Sequence, residues 1–196
     1  MTIRDSILSD IRKNQPSARD LPSVPFFHST TPVDLKEKFY ASLKRMAGDT
    51  ITQYPDDLAQ FIVARFPGAK KICSAVPEFS GTCSPADFSN WADTAAIDVT
   101  VVRSPLGVAE TGFVLLSERE FIVNAIGFLA YDIVILLDPA DIVENVHDAY
   151  SHPYFRESGY CLLMTGPSGS GDINSVIVHP AQSSTTLTVM FAPRAN

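Results

Sequence analysis

Two short segments concentrate the residue types that bind anions or do acid–base work. The first is Thr165-Gly166-Pro167-Ser168-Gly169-Ser170-Gly171-Asp172, which follows an apolar run. Glycines let a backbone turn tightly and approach a ligand closely. Exposed N–H groups and Ser/Thr hydroxyls can then surround a phosphate or a carboxylate. No Lys follows the last glycine, so this is not a Walker A loop. Asn174 stands where a dinucleotide-binding fingerprint needs its third glycine. The plainer reading is a flexible strand-to-helix connection, with Asp172 as the helix cap.

The second segment is Gly107-Val108-Ala109-Glu110-Thr111-Gly112, between two strand-like runs. A carboxylate and a hydroxyl beside glycine at a strand turn can serve as acid, base or nucleophile, which makes Glu110 the candidate catalytic residue. The alternative is a β-turn with Glu110 solvated. Arg103 and Arg119 lie close in sequence and could supply the cation that phosphate sites commonly use.

Other reactive types give weaker signals. His28, His147, His152 and His179 show no metal-ligand spacing, so no metal site is expected. Cys73, Cys83 and Cys161 form no C-x-x-C pair, which argues against a zinc or iron–sulfur site held by this chain. Cys73 and Cys161 fall in strand-like runs and read as buried thiols. Trp91 and the phenylalanines read as core.

The elements that must position these residues follow from periodicity. Thr2 and Asp5 form a capping box, and Ile3, Ile7, Leu8 and Ile11 share one face of a helix running to about residue 13. Pro16, Pro22, Pro25 and Pro32 then mark an extended tether, so residues 1–30 read as a helical arm and residues 31–196 as one domain. A second helix opens at Thr31-Pro32-Val33-Asp34, with Pro32 at its first position and Leu35, Phe39, Leu43 and Met46 inward. A third starts at Pro55-Asp56-Asp57 with Leu58, Phe61, Ile62 and Phe66 inward. Ser84-Pro85-Ala86-Asp87 caps a short helix around Phe88 and Trp91. Asp138-Pro139-Ala140-Asp141 starts another, with Ile142, Val143, Val146 and Tyr150 inward. Residues 71–76, 97–102, 113–116, 131–137, 160–164 and 187–191 are strand candidates. Continuously apolar strands between helices imply a sheet covered on both faces, an α/β domain.

The 196 residues include 22 acids against 15 Lys+Arg, a formal net charge of −7. That excess argues against a nucleic-acid or anionic-membrane partner, both of which need a basic face. The longest apolar run is interrupted by Asn124, Gly127 and Asp132, so no membrane insertion is expected. The N-terminal stretch carries acids where a signal peptide needs an uncharged core, and a cytoplasmic location is the default expectation.

Taken together, Ala109-Glu110-Thr111-Gly112 and Gly166-Pro167-Ser168-Gly169-Ser170-Gly171-Asp172-Ile173 resemble the LUD domain family, the lactate-utilization protein C group. Ala140-Asp141-Ile142-Val143 and His147-Asp148-Ala149-Tyr150 resemble the family's intervening helix. The likeness departs at the C-terminus, where Gln182, Ser183 and Ser184 stand in place of the family's His-Gly-Pro, so this is a divergent member. The resemblance implies a NagB/RpiA/CoA-transferase-like three-layer fold, with a central, mainly parallel sheet and the N-terminal helix peripheral. It implies an accessory subunit in lactate-to-pyruvate oxidation, with no cofactor in this chain and the iron–sulfur clusters on partner subunits. Thr111, Gly112, Thr165, Gly166, Pro167, Ser168, Gly169, Ser170, Asp172 and Gln182 would then line the site of a small anionic ligand. Some members of the superfold use a strand-turn glutamate as nucleophile. That leaves open an acyl/CoA-transferase-like or sugar-phosphate-isomerase-like enzyme using Glu110. A degenerate interaction module is a further alternative.

Overall fold

The computed structural model describes residues 2–23, 25, 32–166 and 184–194. The chain begins with helix α1 (Ile3–Lys13), closed by the expected Thr2/Asp5 capping box. None of its residues is buried, so the arm is peripheral. Helix α2 (Leu35–Arg45) is capped by Asp34, whose carboxylate accepts the amides of Lys36 and Glu37. Pro32 therefore stays outside the helix instead of opening it. A side-chain acceptor at Asp34 supplies the cap two residues later. Strand β1 (Asp49–Ile51) and helix α3 (Leu58–Arg65), capped by Asp57, follow.

Strands β2 (Ile72–Ser74) and β3 (Val99–Ser104) come next, then β4 (Leu106–Val108) and β5 (Phe113–Ser117). Two short helices, α4 (Glu118–Phe121) and α5 (Ile126–Leu129), lead to β6 (Asp132–Leu137). The remaining elements are β7 (Ile142–Val143), α6 (Val146–Ser151), α7 (Tyr154–Glu157), β8 (Cys161–Met164) and β9 (Thr186–Phe191).

Five strands form an entirely parallel sheet in the order β1-β9-β6-β3-β2. Its apolar runs alternate between two cores. Val102, Ile133, Ile135, Leu187 and Val189 pack with Phe39 and Leu43 of α2, Phe121 of α4 and Ile126 of α5. Val99, Val101, Val134, Leu136 and Met190 pack with Leu58 and Ile62 of α3. Burial on both faces explains why these strands read as continuously apolar. The result is the expected three-layer α/β architecture, with a central parallel sheet between helices.

A second sheet, in the order β7-β4-β5-β8, joins the expected strands β5 and β8 to β4 and β7, which were not legible from the sequence. It is mixed: β4–β5 and β5–β8 are antiparallel, while β4–β7 is parallel. Its presence corrects the helix expected from residue 139. Pro139–Asp141 makes only a 3-10 turn. Ile142 and Val143 then pair with Gly107 and Val108. These β-branched residues suit a strand. The helix starts instead at Val146, capped by Asn145, and leaves Tyr150 58% exposed. The short helix expected around Phe88 also resolves differently, into two 3-10 segments at Pro85–Asp87 and Trp91–Ala96. Trp91, expected in the core, is 69% exposed.

Candidate functional site

Strand β5 joins two regions with different chemistry. At its amino end, residues 109–112 form the turn between β4 and β5. Gly112 donates its amide to the Val108 carbonyl at 2.9 Å, and the Phe113 amide bonds Thr111 Oγ1 at 3.3 Å. The neighbouring backbone is tied to the segment after β7: Ala109 N–H donates to Val143 O at 2.9 Å, and Glu110 N–H to Glu144 O at 3.1 Å. Gly112 has φ +72, and a Cβ there would overlap the backbone nitrogen and Cα of Leu43 in α2. Only glycine meets both conditions without strain.

Strand β8 brings Thr165 and Gly166, the start of the other segment, to the same place. Met164 pairs with Val114 and Cys161 with Ser117, so the chain leaves β8 beside the start of β5. Gly166 has φ +57, and a Cβ on it would overlap the carbonyl of Met46, at the end of α2. Gly112 and Gly166 therefore both come close to the last turn of α2. Thr165 Oγ1 is buried with no hydrogen-bond partner among the described residues. Pro167, Ser168, Gly169, Ser170, Asp172 and Gln182 lie outside the described residues.

Glu110 is exposed, and its Oε2 accepts the amide of Val146 at 3.2 Å. Val146 is the first residue of α6, so the carboxylate satisfies one of the free amides that a helix start leaves. Its backbone carbonyl accepts the Ser42 hydroxyl at 3.1 Å, a further tie to α2. The turn reading of this segment is thus correct, although Glu110 is bonded to a helix terminus as well as exposed.

At the other end of β5 the chemistry is cationic. Arg103, Arg119 and Arg194 line one cavity of about 220 Å³ with Glu120 and Tyr154. Ala75 and Pro105, just past β2 and β3, complete it. Arg103 Nε donates to Glu78 at 3.0 Å and Nη1 to the Ala192 carbonyl at 2.9 Å. Arg119 donates to the Glu157 carbonyl at 3.0 Å and lies over the Tyr154 ring, 5.1 Å from its centroid. Arg194 pairs with Asp141 at 2.7 Å. Burial pushes the Tyr154 phenol up, and its bond to Glu120 (3.0 Å) adds to this.

Two carboxylates staple this region together. Glu118 accepts the amides of Gly159 and Tyr160 at 2.7 and 2.8 Å. Its own backbone amide holds its carboxyl below the usual range. Desolvation opposes that shift, and the other two amides reinforce it. Desolvation pushes Asp138 up, but the amides of Arg194 and Ala140 outweigh it and leave the carboxyl lowered.

Arg103 and Arg119, which their place in the sequence made possible cations for the Glu110 turn, line this other cavity instead. Five residues of β5 at ~3.3 Å each hold the two ends roughly 15 Å apart. Arg194 and Tyr154 were missed. Their one sequence signal is a cation three residues beyond a buried strand, and an aromatic in a short polar segment.

The cysteines carry no comparable chemistry. Cys73 is fully buried, and desolvation followed by the neighbouring Cys83 pushes its thiol up to about 12. Cys161 is half-buried rather than buried. Among the described residues, no group of three or more His, Cys, Asp or Glu side chains is arranged to hold a metal. No helix among them is long and apolar enough to cross a membrane.

No family model and no curated protein sequence matches this chain. In structure, it is similar to a solved DUF162 family protein from Deinococcus radiodurans, with a TM-score of 0.64 and 12% identity. The match covers 81% of this chain and 96% of that one. At that identity the likeness establishes a shared fold.

Proposed function

We propose that this chain is a divergent LUD-type protein acting as an accessory, ligand-binding subunit of a lactate-oxidising system. It holds a small carboxylate such as lactate or pyruvate where residues 109–112 and Thr165-Gly166 meet. The observation that carries this reading is the convergence of the 109–112 turn with Thr165 and Gly166. Gly112 and Gly166 are 54 positions apart in sequence, yet both close on the last turn of α2, against Leu43 and Met46. The backbone amides of Gly112 and Gly166 and the hydroxyls of Thr111 and Thr165 then lie at one end of the β5–β8 pair. The Thr165 hydroxyl, without a partner among the described residues, supplies a further polar group there. Glu110 and Thr111 line the same end of the sheet. The structural likeness to a DUF162 protein agrees with this reading, since that family is related to the LUD domain.

The accessory-subunit part rests on α1. Ile3, Ile7 and Ile11 are 83%, 55% and 53% exposed along one face. An isolated helix of 11 residues is marginal in water. Covering that face with a partner subunit would stabilise it, and the iron–sulfur chemistry would reside on that partner.

The test uses the full chain, tagged, in cells of its own host growing on lactate. Co-purification with an iron–sulfur subunit, together with a lactate-growth defect on deletion, is the expected result. Normal growth on lactate with no such partner recovered would overturn the reading.

A further inference from the structure

We infer that the cavity lined by Arg103, Arg119 and Arg194 is a second anion site, built for a phosphate group, either free or as the monoester of a small metabolite. Its place in the fold is the first reason. Ala75 and Pro105 put it just past the carboxyl ends of β2 and β3, and Arg194 lies just past that of β9. Open α/β sheets bind ligands outside these strand ends.

The second reason is the donor set. A guanidinium presents five N–H donors in a fork that matches phosphate oxygens two at a time. Arg103 spends its bonds on Glu78 and the Ala192 carbonyl, Arg119 on Glu157, and Arg194 on Asp141. Each therefore keeps N–H groups to spare. None of these three acids lines the cavity. They hold the guanidiniums in place, so less side-chain freedom is lost on binding. Glu120 does line it, but its carboxylate accepts from the Ser117 amide, the Ser117 hydroxyl and Tyr154.

The third reason is a contrast within the same sheet. A cavity of similar size, about 220 Å³, lies at the amino ends of the strands, lined by Phe66, Tyr131, Asp98 and Asp132 and by no cation. One cavity of the sheet is thus lined by three arginines and a glutamate, and the other by two aspartates and no cation. The size also fits. At ~30 Å³ per water molecule, the cavity matches about seven waters, room for a phosphate and a short carbon chain.

The experiment is calorimetric titration of the full chain, at physiological salt, with inorganic phosphate and separately with glycerol 3-phosphate. The wild type is expected to bind at least one of them. Tighter binding of glycerol 3-phosphate identifies a monoester site, and equal binding identifies a site for the free ion. Arg119→Gln combined with Arg194→Gln should weaken binding at least about tenfold, with the unfolding temperature held. Both arginines are exposed enough for that variant to fold. Arg119→Lys should recover only part of the affinity, because a lysine keeps the charge but loses the fork. No binding by the wild type would overturn the inference. So would undiminished binding by the double variant, or binding lost in Ser168→Ala/Ser170→Ala while the double arginine variant binds normally.

Discussion

The two ends of β5 are assembled by opposite means. At the amino end, backbone meets backbone: Gly112 and Gly166 let two turns close on α2 where a Cβ would collide. At the carboxyl end, long side chains from β3, from the start of α4 and from beyond β9 converge on one cavity. The first end tolerates no added atom at its glycines and offers amides and hydroxyls. The second tolerates side-chain changes and offers full positive charges. Loss of fold and loss of binding should therefore separate along the strand.

The largest effect is expected from Gly166→Ala or Gly112→Ala. Each adds left-handed strain to a backbone collision and should cost about 2–4 kcal/mol in denaturant unfolding. A loss below ~1 kcal/mol would mean that the close approach to α2 is not needed. Glu110→Ala should cost less, about 1 kcal/mol, because the Val146 amide loses its acceptor. Glu110→Gln, which keeps an acceptor oxygen, should cost less still. At the other end, Arg119→Gln with Arg194→Gln should stay within about 0.5 kcal/mol of wild type, since exposed ion pairs contribute little. A large loss there would erase the distinction between the two ends.

The finest separation is in pH. Glu118 has a folded-state pKa below its unfolded one. It therefore stabilises the fold above the ordinary glutamate value of ~4.3, and that contribution fades as pH falls through the lowered value. Unfolding of Glu118→Gln against wild type should show a difference at neutral pH that shrinks on acidification. A difference independent of pH would contradict this role for the carboxylate.

Leu58, Ile62 and the alternating valines of β3 and β6 were legible because burial on both faces leaves a continuous apolar signature. The turn at residues 109–112 was legible because its glycine does work no other residue can do. Strands β4 and β7 were not, because three and two residues carry no period. Ile142, Val143, Val146 and Tyr150 instead imitate a helical face. The arginine cavity was invisible for a different reason. Residues 103, 119 and 194 share no local pattern and meet only through the order of the strands. Trp91 misled because aromatic character predicts burial on average, while its 3-10 segment leaves it at the surface.

One measurement tests the two-ended account most directly: backbone amide shifts of the full chain titrated with lactate and, separately, with glycerol 3-phosphate. Lactate should move the amides of Thr111, Gly112 and Gly166 and leave those of Arg119, Tyr154 and Arg194 in place. Glycerol 3-phosphate should do the reverse. Shifts of the same residues by both titrants, or no shift at the glycine end with lactate, would contradict it.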